Sequence, residues 1–186
     1  MDKQNPFIFN IHVDSLLYLC IRIIKLHFLI ILIILFQRYS IVATFNYQQK
    51  EAWTWEHQAL VRARNVMGDA ELAQKVFDTR QQVLAKSRDQ ETLAEQVRDM
   101  RSKMRQQLDK SDSQLFDLKQ GKGGITDIEF MVQYAVLAWS TDLPELLVYT
   151  DNIRILEALV ASGKLEPAEG EMLADAYRYY RNEANH

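Results

Sequence analysis

Residues 116–140 read FDLKQGKGGITDIEFMVQYAVLAWS, and the fold class follows from how that stretch changes character half-way. Gly121, Gly123 and Gly124 crowd its first half. Then Thr126 and Glu129 stand in the T-x-x-E spacing of a capping box, in which the hydroxyl takes an N–H of the first turn and the acid reaches back to the cap. The helix so opened spans about 127–140. Ile128, Phe130, Met131, Val132, Tyr134, Ala135, Val136, Leu137 and Trp139 leave it almost no polar side. A helix apolar all round is covered by neighbours on every side, so it belongs at the centre of a bundle. Phe116–Lys119 alternate apolar and charged residues, which predicts a short extended segment before the glycines.

Helical patterns continue on both sides. Upstream, Ala52, Trp55, Ala59, Ala63 and Val66 form a stripe that predicts a helix over about 47–67, with Gly68 as its stop and Asp69 as the next N-cap. A second helix over about 70–86 carries Leu72, Val76, Val83 and Leu84. A third, over about 90–108, has the stripe Leu93, Val97, Met100, Met104 and Leu108. Its other face (Glu95, Arg98, Asp99, Arg101, Lys103, Arg105) reads as solvated. Downstream, Pro144 lies in a loop, and Thr150 or Asp151 caps a helix over about 152–162 with Ile153, Leu156, Leu159 and Val160 inward. Glu166-Pro167 opens the last helix, where proline's missing N–H costs little, and Met172, Leu173, Ala176, Tyr177 and Tyr180 face the core. The pattern still runs at His186, so the C-terminus reads as truncated. The expected fold is all-α, a bundle of about six helices.

Composition agrees. The 186 residues are 48% hydrophobic and 25% charged, with only 6 Gly and 3 Pro, which is poor material for a turn-rich β fold. One cysteine, Cys20, excludes an internal disulfide framework and a cysteine zinc cluster. The net charge of −3 excludes a general nucleic-acid binder. The charge is unevenly spread. Residues 1–46 hold Lys3, Arg22, Lys25 and Arg38 against Asp2 and Asp14; the remainder holds the other 18 basic and 23 acidic residues. Leu16–Phe36 reads LLYLCIRIIKLHFLIILIILF, too interrupted by Arg22 and Lys25 for a good membrane span and without a cleavage site for a signal peptide. We read 1–46 as an apolar extension foreign to the domain at 47–186, an artefact of a start codon or frameshift, with a membrane-associating helix through 16–36 as the alternative.

Few residues carry a chemical signature. The sequence has no P-loop, no G-x-S-x-G, and no paired histidines, so no metal site and no catalytic residue are assigned. Gly121–Gly124 before a helix start, with Lys119 and Lys122 beside it, suits a phosphate: glycines admit close approach and helix-start N–H groups favour an anion. Asp127 and Glu129, two apart on a helix, point about 200° apart and cannot both grip one ion. Arg62 and Arg64 are likewise two apart, so one of them at most holds a nucleotide phosphate.

Two stretches carry a resemblance. AWTWEHQALVRAR at 52–64 and FDLKQGKGGITDIEFMVQY at 116–134, with DNIRILE at 151–157, resemble the helical domain that follows the second, adenylylating catalytic domain of the bacterial glutamine synthetase adenylyltransferase/adenylyl-removing enzymes. The resemblance implies transfer of AMP from ATP to a tyrosine of glutamine synthetase, magnesium held by acidic residues of an upstream nucleotidyltransferase domain, and regulation by PII proteins. It carries over Lys119, Lys122, Gly123, Gly124, Asp127 and Glu129 as nucleotide-proximal candidates, to which Arg62 and Arg64 are added. No glycine-serine turn followed by a D-x-D pair occurs in 1–46. The expectation is therefore a fragment without activity or cofactor of its own, in the cytoplasm, whose partners are glutamine synthetase, a PII protein and the missing nucleotidyltransferase domain. A stand-alone interaction module for either protein is the alternative.

Overall fold

The computed structural model describes residues 41–184, and the apolar segment 16–36 lies outside them. Among the described residues seven α-helices follow in order: α1 (Ile41–Lys50), α2 (Thr54–Val61), α3 (Ala70–Leu84), α4 (Gln90–Leu108), α5 (Ile125–Trp139), α6 (Asn152–Ala161) and α7 (Pro167–Glu183). A 3-10 turn at Pro144–Leu147 lies between α5 and α6. No strand occurs among the described residues, and no helix there is long and apolar enough to cross a membrane.

The apolar helix is central, as expected. α5 packs against α2, α4, α6 and α7. Val132, Ala135, Val136 and Leu137 form one core with Val61 of α2, Leu84 of α3, Leu93 and Val97 of α4, Leu146 and Leu147 of the 3-10 turn, Ile155, Leu156 and Leu159 of α6 and Ala174 of α7, while Ile125 and Ile128 form a second, smaller one with Tyr177 of α7. Each fully buried side chain of this size contributes about 1.5–3 kcal/mol over leaving it in water.

Several expectations are corrected. The helix over 47–67 is two helices. The chain breaks at Glu51–Trp53, where Trp53 takes an extended conformation and the Glu56 carboxylate accepts its N–H at 3.2 Å. α2 then ends at Val61, leaving Val66 75% exposed in a loop. The residues it buries are His57, Gln58 and Val61. The opposite face of α4 is not wholly solvated, because Arg101 is buried. Phe116–Lys119 form no strand: Phe116 and Asp117 have no regular structure, and Leu118 opens a turn in which the Asp117 carboxylate accepts the N–H groups of Lys119 and Gln120, both at 2.9 Å. On α7, Met172 is exposed and Ala174 takes its place in the core.

The capping box between Thr126 and Glu129 does not form. α5 begins at Ile125 with Gly124 as its cap, so Thr126 already lies inside the first turn. The acid that reaches back is Asp127, whose Oδ2 accepts the Gly123 N–H at 2.7 Å. Gly124 tolerates no side chain, since a Cβ there would come within 2.6 Å of the Leu118 carbonyl oxygen.

Candidate functional site

The N-terminal end of α5 sends two carboxylates, Asp127 of its first turn and Glu129 just beyond it, in opposite directions, as helical geometry requires for residues two apart. Asp127 faces α4. Its Oδ1 and Oδ2 both accept from Arg105 Nη2 at 2.7 Å, and Oδ1 also accepts from Arg101 Nε. Arg101 continues to the loop, donating to the Gln120 carbonyl at 2.7 Å. Burial by itself would raise the Asp127 carboxyl; the Gly123 N–H and the Arg105 and Arg101 guanidiniums outweigh it and hold the group below its ordinary value. Asp127 thus ties α4, the glycine loop and the start of α5 into one unit.

Glu129 faces α2 and α7. Its Oε1 accepts from Arg62 Nη1 at 2.8 Å and from the Tyr177 hydroxyl at 3.0 Å. Arg62 Nη1 also donates to the Tyr177 oxygen at 3.3 Å, and Arg181 lies over the Tyr177 ring, 5.8 Å from its centroid. Burial pulls the Arg62 guanidinium down, but Tyr177 and Glu129 more than restore it, so its pKa is raised. A hydrogen-bonded ion pair at a half-buried position fixes orientation more than it adds stability.

The glycine loop offers fewer donors than the sequence suggests. The amide of Gly124 donates to Gly121, that of Ile125 to Leu118, that of Thr126 to Lys119 and that of Asp127 to Gly124, while Gly123 donates to Asp127. The helix-start N–H groups that would cradle an anion are therefore already engaged by the loop's own oxygens. Of the eight candidates, the structure joins Gly123 to Asp127 and Arg62 to Glu129. Gly124 is buried as the cap, and Lys119, Lys122 and Arg64 are exposed. Sequence reasoning does not reach Arg101, Arg105, Tyr177 and Arg181. Arg101 and Arg105 are spaced i, i+4 on α4, the one signal that could have marked them as a pair sharing a partner.

These residues do not fit a divalent cation. Asp127 and Glu129 diverge and each is neutralised by arginine, and among the described residues no group of three or more His, Cys, Asp or Glu converges. Away from this region a cleft of about 430 Å³ opens between α2 and α4, lined by Trp53, Trp55, Gln96, Asp99, Met100 and Lys103 among others. None of the eight candidates lines it.

Comparison with known proteins now bears on the arrangement. Residues 91–186, more than half of the chain, match the family model described as GlnD PII-uridylyltransferase, and residues 36–79 match that of glutamate-ammonia ligase adenylyltransferase. The chain is 58% identical over 140 residues to a bifunctional glutamine synthetase adenylyltransferase/adenylyl-removing enzyme of Nitrosococcus oceani. The chain belongs to the glutamine synthetase adenylyltransferase/adenylyl-removing enzyme family. Two further members, from Thioalkalivibrio sulfidiphilus and Shewanella loihica, are 54% identical over 143 residues and 51% identical over 140 residues. The three matches cover 75–77% of this chain but only 14–15% of the relatives, so the chain spans about one seventh of their length. The adenylyltransferase match begins at residue 36, upstream of the change in composition at Tyr47.

Proposed function

We propose that the chain is the helical-domain fragment of a glutamine synthetase adenylyltransferase and that alone it transfers no AMP. In the full-length reaction a tyrosine hydroxyl of glutamine synthetase attacks the α-phosphorus of ATP and pyrophosphate leaves. Magnesium, held by paired carboxylates, neutralises the phosphate charge in such transfers. The observation that carries the reading is the commitment of Asp127 and Glu129 to Arg105, Arg101 and Arg62, which leaves neither carboxylate for a metal. The first turn of α5 instead serves as a rigid corner on which the nucleotidyltransferase domain of the intact enzyme rests. Lys119, Lys122 and Arg64, exposed and without a buried role, are the side chains free to reach a nucleotide phosphate there. Glutamine synthetase and a PII protein are the partners of that assembly, in the cytoplasm where ATP and both proteins meet.

The test uses the purified chain, glutamine synthetase, Mg²⁺ and ATP labelled at the α-phosphate. The expected result is no label above background. Adding the separate second nucleotidyltransferase domain of the Nitrosococcus oceani relative should then give labelling that rises further when the chain is present. Label from the chain alone would overturn the claim of inactivity, and a domain indifferent to the chain would overturn the assignment as its helical partner.

A further inference from the structure

We propose that His57 is a proton-sensitive latch that holds the C-terminal turn of α1 against the bundle, closed when the imidazole is neutral and opened when it takes a second proton. This goes beyond the adenylyltransferase reading and does not depend on it.

His57 lies in the middle of α2 and is buried. Nε2 lies 2.9 Å from the carbonyl oxygen of Gln48 on α1, and Nδ1 lies 3.3 Å from Arg88 Nη2. A carbonyl can only accept and a guanidinium can only donate, so the two partners together select the neutral ring with its proton on Nε2. The Gln48 carbonyl belongs to the last turn of α1, whose carbonyls have no partner within their own helix. The Gln49 carbonyl beside it is taken by Lys86 Nζ at 2.9 Å. Arg88 also donates to the carbonyls of Val83 at 2.9 Å, Leu84 at 3.0 Å and Lys86 at 2.7 Å, closing the C-terminal end of α3. One imidazole therefore links the end of α1 to the residue that caps α3.

Of the groups around the ring only the Gln48 carbonyl favours a second proton; burial and two cations oppose it. From α1 it meets the Gln48 carbonyl. From the connection between α3 and α4 it meets two cations, Arg88 and Lys86. On its own helix Glu56 is turned away, accepting from the Tyr47 hydroxyl at 3.0 Å and from the Trp53 N–H. No carboxylate among the described residues bonds to the imidazole. Burial first, and then Arg88 and Lys86 against the pull of the Gln48 carbonyl, set the His57 pKa below its ordinary value.

A proton arriving at Nδ1 removes the acceptor for Arg88 and sets one N–H against another. Arg88 is held in place by the carbonyls of Val83, Leu84 and Lys86, so the ring swings away and the bond to Gln48 is lost. Because the folded pKa lies below the unfolded one, the latch contributes its full stability above the ordinary histidine range. That contribution falls as pH drops through this range toward the folded value. What the open latch releases is the last turn of α1, residues 45–50.

The test is hydrogen exchange on the full chain, corrected for intrinsic rates, at about pH 7.5 and about pH 5.5, which brackets the ordinary histidine range. Protection of residues 45–50 should fall about tenfold at the lower pH while that of α5 holds, as expected of a local opening. His57→Gln, which keeps an amide donor but cannot titrate, should show no such pH dependence. An unchanged wild type, or an equal loss in His57→Gln, overturns the proposal. Should that variant fail to fold, the imidazole titration followed by NMR decides. Arg88→Gln should raise the His57 midpoint, and a midpoint that stays put overturns the latch.

Discussion

Arg80 is buried at 4% exposure, and no carboxylate accompanies it among the described residues. Its guanidinium donates to four carbonyl oxygens: Leu60 at 3.0 Å, Val61 at 2.7 Å, Leu147 at 2.8 Å and Tyr149 at 3.2 Å. Two of these end α2, where backbone carbonyls are orphaned and the helix dipole favours a cation; the other two fix the 3-10 turn and the approach to α6. Burial lowers the Arg80 pKa to about 10, still high enough to keep the charge at neutral pH. Arg80→Met fills similar space and removes the cost of a buried charge, but leaves the Val61 and Tyr149 carbonyls unpaired at about 1–3 kcal/mol each, while Leu60 keeps the Ala63 N–H at 3.0 Å and Leu147 the Gln81 amide at 3.5 Å. We expect a net loss of about 2–4 kcal/mol, read as a lower urea midpoint with an unchanged slope. A loss under about 0.5 kcal/mol, typical of an exposed surface change, would show that the carbonyls find other donors. Nothing in the sequence marked this residue. Periodicity weighs side chains by polarity, and an arginine on an amphipathic helix is read as solvated whether it meets water or a set of carbonyls. Arg101 was hidden in the same way.

At the scale of elements, the glycine loop and the start of α5 were legible as a place but not as a mechanism. GKGG before an apolar run located the helix start to within a few residues, because turn chemistry and capping chemistry are local. Which acid reaches back to the loop depends on where the helix starts: the Leu118 carbonyl takes the Ile125 N–H and Gly124 becomes the cap. That shift puts Asp127, and not Glu129, three residues past the cap. It leaves Glu129 free to join α2 to α7 through Arg62 and Tyr177. A tertiary contact of that kind has no signature in local spacing. The pH dependence follows from the direction of the Asp127 shift. Its folded pKa is depressed, so its stabilising contribution is complete above the ordinary aspartate value and is lost as pH falls through the folded one. Asp127→Asn keeps the shape and an acceptor but abolishes this titration. Acid unfolding below about pH 4, where an ordinary aspartate protonates, should therefore be shallower in the variant than in the wild type. Parallel profiles would show that the arginine pairs add nothing beyond orientation.

At the scale of the whole molecule, one helix sets the behaviour of the rest. The all-α class and the central position of α5 were readable because a helix with no polar face can only be surrounded. The boundaries of the helices around it depended on partners far along the chain, as Arg80 does for α2. Since α5 packs against α2, α4, α6 and α7, none of these can leave without exposing its apolar surface. Residues 45–186 form one unit by their contacts, and they should lose structure as one. The tryptophans are well placed to show it: Trp53 and Trp55 report on the region of α2, and Trp139 on the end of α5. Urea unfolding followed by far-ultraviolet circular dichroism and by fluorescence of single-tryptophan variants should give coincident transitions. Val136→Ala, at a position with no exposure in the middle of α5, should shift them together by about 1–3 kcal/mol, the range between trimming one methyl group and emptying a larger core site. Separate transitions at Trp55 and Trp139 would mean that the segment matching the adenylyltransferase model at 36–79 and the one matching the uridylyltransferase model at 91–186 are energetically independent. Coincidence would mean that α5 has fused them into one cooperative unit, because losing either segment would expose its apolar surface.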